Sequence, residues 1–82
     1  MTRKLYYVEW IDASSLTGSW QQERDVKDLA ATPIKTVGWA VKETKDELVL
    51  VSSWSPDCVD GNICIPRRAI VRTKILAGLS IP

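Results

Sequence analysis

The chain has 82 residues, 45% of them hydrophobic and 26% charged, with a formal net charge of +1. That balance excludes a disordered chain and a blanket electrostatic affinity for nucleic acid or anionic membrane, and the length allows one domain spanning residues 1–82. Folding at this size hides roughly 63% of the surface an extended chain exposes, enough for one small core, so self-association is a natural route to further burial.

Residues 4–12 (KLYYVEWID) alternate: Tyr6, Val8 and Trp10 share one face, and Tyr7, Glu9 and Ile11 the other, which predicts a first strand. Small polar residues follow, with Gly18 among them, so residues 17–20 are expected to be a loop carrying Trp20. Residues 21–31 have the only helical character, with Val26, Leu29 and Ala30 at i, i+3 and i+4; the narrow stripe predicts a short helix or an extended loop. Pro33 holds the residue before it toward extended geometry and ends that segment.

Residues 34–76 organise the rest. In 34–43, Val37, Trp39 and Val41 alternate against Thr36, Gly38, Ala40 and Lys42; the small pair Gly38 and Ala40 suits a bent strand that another chain segment approaches closely. Thr44, Lys45 and Asp46 make a polar turn, and residues 47–54 a strand that is apolar on both faces near its middle, as expected of a central or covered strand. Residues 55–61 read as a loop, and 62–65 as a brief strand closed by Pro66, which lacks a ladder donor. Arg67, Arg68 and Ala69 are expected to form a single turn before a last strand over 70–76, with the apolar tail 77–82 docking on a surface. Five short strands with a one-turn break before the last predict an all-β fold, a strongly bent SH3-like barrel.

Little in the chain can do chemistry. It has no histidine, which removes the commonest general base and, with Cys58 and Cys64 alone, any Cys/His zinc site within one copy. A disulfide between those cysteines is one option. No signal peptide opens the sequence, however, so reduced, partly buried thiols in a cytoplasmic protein (the host cytoplasm, for a phage-encoded chain) are the expected state. Asp46 and Glu47 are adjacent and would point to opposite faces of a strand, and the four glycines are too scattered for a phosphate loop. No enzyme, metal or cofactor is expected, and no apolar run is long enough to span a bilayer.

Binding is the remaining reading. Of the four tryptophans, Trp10 and Trp39 lie mid-strand and are expected in the core, whereas Trp20 and Trp54 border loops, where an aromatic can cover a core, stack on a base or anchor a protein partner. Residues 62–82 carry Arg67, Arg68, Arg72 and Lys74 and no acid, while Asp57 and Asp60 lie just upstream. Such asymmetry marks either a binding face or the solvated rim of a strand pair.

The stretch 37–76 resembles the Sm-like family, which includes the bacterial RNA chaperone Hfq. Gly38 near the start of a bent strand, the turn at 43–46, the Leu48-Val49-Leu50 strand and the run Ile65 to Ile70 carry the likeness. Arg67-Arg68-Ala69-Ile70 looks like the Hfq-type Lys-His-Ala-Ile run, whose basic residues face RNA in the pore of a ring. Glu47 stands where Sm proteins usually place an RNA-contacting Asn, and Pro66-Arg67 replaces their Arg-Gly step. Over its whole length the layout is similar to small tailed-phage proteins of no established activity, through Val8-x-Trp10-x-Asp12, Gly18-x-Trp20, Val37-Gly38-Trp39 and Ile65-Pro66-Arg67.

These resemblances imply a non-enzymatic Sm/SH3-like barrel, a homo-oligomer that closes a ring through its strand edges. It would hold single-stranded RNA on Arg67 and Arg68, with Trp54 as a base platform. The alternative is a protein-interaction or assembly accessory module without a nucleic-acid ligand, in which Trp20, Leu79 and Ile81 dock a phage or host protein.

Overall fold

The structure is a computed structural model and describes residues 2–80. Among the described residues seven strands form: β1 (Thr2–Asp12), β2 (Thr32–Glu43), β3 (Glu47–Val51), β4 (Ser53–Trp54), β5 (Val59–Asp60), β6 (Ile63–Pro66) and β7 (Ile70–Ser80). One short helix, α1 (Glu23–Lys27), lies between β1 and β2, and a 3₁₀ turn (Arg67–Ala69) between β6 and β7. Five strands make an antiparallel sheet in the order β6-β3-β2-β1-β7, and β4 and β5 pair as a separate ribbon. The fold is all-β.

A flat sheet of five strands would hold its edges about 19 Å apart. Here the two edge strands are consecutive in the chain and joined by the Arg67–Ala69 turn, which advances only about 6 Å. The sheet must therefore curl until its edges meet at that turn. It does not close into the expected barrel, since β6 and β7 remain the two edges. Strands β6 and β7 run in the same direction and are joined end to end by the turn, so one continues into the other and does not lie beside it as a ladder. The open shape is long, with extents of 55 × 26 × 19 Å and a radius of gyration of 16.2 Å, against about 12 Å for a compact chain of this length.

The concave face holds the core. Tyr6, Val8 and Trp10 from β1 pack with Ala40, Leu48, Leu50 and Ile65, flanked by Ile34, Ile63 and Ile70. The Trp10 indole N–H donates to Thr36 Oγ1 at 3.0 Å, which satisfies its one polar atom. Strand β2 turns its small residues inward: Gly38 and Ala40 are buried, while Val37 is 55% exposed. A Cβ on Gly38 would stand 3.0 Å from Leu50 Cβ and 3.2 Å from the Val51 carbonyl oxygen, so the glycine lets β3 come close where the sheet bends. Trp39, expected in the core, lies half-buried on the outer face, opposite Leu5 and Val51.

Three bulges interrupt the ladders. The extra residues they leave without a partner are Val41 in β2 and Val71 and Leu76 in β7, and all three are exposed. A bulge bends its strand and shifts the alternation beyond it, which is why Lys42, expected on the face of Gly38 and Ala40, is exposed and lies opposite Val49. The strand expected over 47–54 breaks at Ser52, whose N–H donates to the Asp60 carbonyl and starts the β4–β5 ribbon. The tail after Leu76 continues β7 to Ser80 and pairs with the start of β1 rather than docking as a separate segment; residues 81 and 82 lie outside the described residues.

Leu48→Ala, which empties a fully buried site, should lower stability by about 2–5 kcal/mol. Gly38→Ala, which crowds β3, should cost about 1–3 kcal/mol. Both are read from urea unfolding midpoints, and an unchanged midpoint for either would contradict the packing described.

Candidate functional site

The basic turn is built by two local devices. Pro66 ends β6 in extended geometry, and the chain then winds through one 3₁₀ turn. The turn between β2 and β3 holds it: the Arg67 backbone N–H donates to the Asp46 carbonyl at 2.9 Å, and Arg67 Nε donates to the Thr44 carbonyl at 3.0 Å. Thr44 Oγ1 in turn accepts from the N–H groups of Asp46 and Glu47. Arg67 is half-buried and held, whereas Arg68 is exposed.

Both arginines and Lys45 line an open depression of about 540 Å³ together with Asp46, Glu47 and Pro66. Glu47 is drawn toward Lys42, its Oε1 lying 3.2 Å from Lys42 Nζ. Among the described residues, Lys45, Arg67 and Arg68 form no ion pair. With Glu47 neutralised, three cations face one acid there.

Trp54 is not part of this surface. It lies beyond the far end of β3, where its ring meets Trp39 edge-on at 5.3 Å and 88°. The Arg3 guanidinium carbon sits 4.9 Å from the Trp54 ring centroid, so a cation already occupies the ring face that a base would stack on. Nε and Nη1 of Arg3 are buried without a hydrogen-bond partner among the described residues. Nothing in the sequence pattern pointed to Arg3: the tryptophan meets it only because β2 and β3 bring residues 39 and 54 beside the start of β1.

On the outer face Glu9 collects three partners. Arg72 Nη2 lies 3.0 Å from Glu9 Oε1, the Tyr7 hydroxyl donates to the same oxygen at 2.6 Å, and Lys35 is opposite Glu9 in the ladder. The Tyr7 hydrogen bond, and then the Arg72 charge, hold the Glu9 carboxyl below its ordinary value. The same hydrogen bond pushes the Tyr7 phenol up, as the bond to Glu43 does for Tyr6.

Trp20 stands apart from everything, 96% exposed on the segment between β1 and β2. Leu79 is described only in its backbone pairing opposite Arg3, and Ile81 lies outside the described residues.

Both cysteines are free and exposed, not partly buried as expected. Cys64 Sγ lies 3.4 Å from Glu47 Oε2, and that hydrogen bond raises the thiol's pKa; a carboxylate beside it opposes formation of the nucleophilic thiolate. Among the described residues no group of three or more His, Cys, Asp or Glu could hold a metal ion, and no helix is long and apolar enough to cross a membrane. In comparisons with known proteins the chain matches no family model, no curated protein and no solved structure.

The two tyrosines give a pH signature. A raised folded-state pKa means that the associated stability is complete below pH about 10 and is lost as pH rises through the folded-state values. Ultraviolet titration of the phenolate band should therefore show both phenols ionising above their ordinary value, with Glu43→Gln returning Tyr6 toward it. At the acid end Glu9 and Glu47 act with the opposite sign. Their lowered pKa values make a contribution that is complete above the ordinary 4.5 and lost as pH falls through the folded-state values. Urea midpoints that stay level as pH drops below about 4 would contradict both ion pairs.

Proposed function

We propose that this chain is a non-enzymatic protein-interaction module of the small SH3-like and Sm-like barrel type, which works by assembling with other protein. The observation that carries this reading is uncovered surface. The chain exposes 6283 Å², whereas a compact monomer of this mass exposes about 4,900 Å². The excess, roughly 1,350 Å², exceeds the ~800 Å² per partner that a standard stable interface buries. Much of it is apolar: Trp20, Val37, Val71, Ile75 and Leu76 are all exposed. An eleven-residue edge strand, β7, adds a row of backbone groups open to pairing. A phage or host protein, or a further copy closing a ring along the edges, would meet this requirement.

A second reading, single-stranded RNA on the basic turn, is favoured by one observation: Lys45, Arg67 and Arg68 line one depression. Repeated around an oligomer, that cluster would form a basic ring despite the near-zero net charge of each chain. Trp54 adds little to it, being engaged by Arg3 and Trp39.

Fluorescence anisotropy with a single-stranded RNA oligonucleotide at low and moderate salt separates the two. The interaction-module reading predicts weak binding with a shallow salt dependence, the same for wild type and the Arg67→Ala/Arg68→Ala double variant. Tight binding that falls steeply with salt, and that the double variant abolishes, would overturn it in favour of RNA.

A further inference from the structure

The segment that joins β1 to β2 is a ligand without a receptor. Every residue from 13 to 31 is exposed, and its hydrogen bonds run mainly within itself, from Ser14 Oγ to the Ala30 carbonyl and from Gln21 Nε2 to the Thr17 carbonyl. Helix α1 has five residues and buries none of them, and a helix so short has no stability of its own in water. Yet this arm carries Leu16, Trp20, Val26 and Leu29, all exposed.

The sheet has the converse feature. At the root of the arm, where Ile11 pairs with Pro33, the outer face dips into a hollow of about 230 Å³. It is lined by the apolar Trp10, Ile11, Pro33, Ile34 and Val71 together with Glu9 and Lys35. Val71 is the residue that a β7 bulge leaves unpaired, and it is 66% exposed. Around the hollow the sheet is basic, with Lys35, Arg72 and Lys74 against Glu9, whereas the arm has Glu23, Asp25 and Asp28 against Arg24 and Lys27. Receptor and ligand thus match in both polarity and charge.

We infer that the two meet between copies: Trp20 on the arm of one chain fills the Ile11/Pro33/Val71 hollow of a second, and the second returns its own arm, giving a two-fold dimer. This rests on the interaction-module reading and names its partner. A second copy is the occupant because the surplus surface, roughly 1,350 Å² per chain, is what a dimer interface consumes. An arm folded back on its own chain would hide Trp20 but leave Ile75, Leu76 and most of that surplus uncovered. The exchange is isologous, so the same contact forms twice, and its anchor is a tryptophan in a largely apolar recess, the usual anatomy of an energetic centre. A net charge of +1 per chain puts no appreciable repulsion between copies.

Sedimentation velocity over a concentration series tests the exchange with three full-length proteins: wild type, Trp20→Ala and Val71→Lys. Wild type should run as a dimer, twice the 9.2 kDa of one chain. Each variant should dissociate at concentrations at least tenfold higher than those at which wild type does. Both substituted side chains are exposed, and a single cooperative urea transition with an unchanged far-ultraviolet circular dichroism spectrum would verify that the variants fold.

The decisive sample is an equimolar mixture of the two variants. The Val71→Lys chain still has its Trp20, and the Trp20→Ala chain still has an intact hollow, so one of the two contacts can form. Association of the mixture should therefore lie between that of wild type and that of either variant alone. A monomeric wild type, a dimer indifferent to both substitutions, or a mixture no stronger than its components would each overturn the inference. So would a Trp20 shielded from acrylamide quenching in a monomer. None of these results involves Arg67 or Arg68, whereas the interaction-module reading fails on salt-steep RNA binding through those two residues. The two failures are distinguishable.

Discussion

Three residues, Arg67–Ala69, separate the two edges of the main sheet, and most of the molecule follows from that short tether. Strands that would lie about four spacings apart in a flat sheet must converge at one end. The curl this forces is what gives the sheet an inside. Tyr6, Val8 and Trp10 from one side of the fold can then meet Leu48, Leu50 and Ile65 from the other. Small residues at Gly38 and Ala40 let the bend be tight, because β3 presses on β2 where a larger side chain would collide with Leu50 and the Val51 carbonyl. The Thr44 and Asp46 carbonyls clamp Arg67 in place, so the same contacts that close the curl also present Arg68 outward.

Convergence at one end leaves the other end splayed. Strand β6 runs on into β7 without pairing with it, and β7 has only β1 beside it. The core is correspondingly small. Apolar side chains that a closed barrel would take inside remain at the surface, and the bulges at Val41, Val71 and Leu76 turn three more outward. A chain of this size has little stability to spare, so uncovered apolar surface on both sheet and arm is a cost to the single chain. Polar contacts on the outer face, Arg72 with Glu9 and Lys42 with Glu47, are solvent-exposed and contribute little by themselves. They keep that face soluble while its apolar patches stay available.

Much of the local structure was legible from residue types. Alternation in Tyr6-x-Val8-x-Trp10 placed the buried face of β1, Pro33 and Pro66 marked where the preceding segments stop, and the Arg67–Ala69 turn was readable from the proline before it. Alternation failed past a bulge, as at Lys42, because the period-two rule assumes an unbroken ladder. It also failed to tell which face of β2 turns inward. By hydrophobicity Val37 and Trp39 belong inside, yet Gly38 and Ala40 are buried, since space near the bend, not greasiness, decides the matter. Arg67 and Arg68 stand out in the sequence by their adjacency, and the fold sets both against one depression. Trp54 was misgrouped with them because nearness along the chain says nothing about which end of β3 a residue occupies, and Arg3 was missed for the same reason.

What the amino-acid sequence determined by itself is short-range: strand periodicity, turn chemistry, the absence of any catalytic or metal-binding combination containing histidine, and the concentration of cations after residue 62. Each depends on side-chain type and on backbone rules that act over a few residues. Only the tertiary structure decided that the sheet stays open, that Trp54 is taken up by Arg3 and Trp39, and that Trp20 stands free while an apolar hollow lies at the foot of its own arm. Those outcomes depend on which strands pair and in what register, and pairing is set by how much surface the whole chain can bury at once.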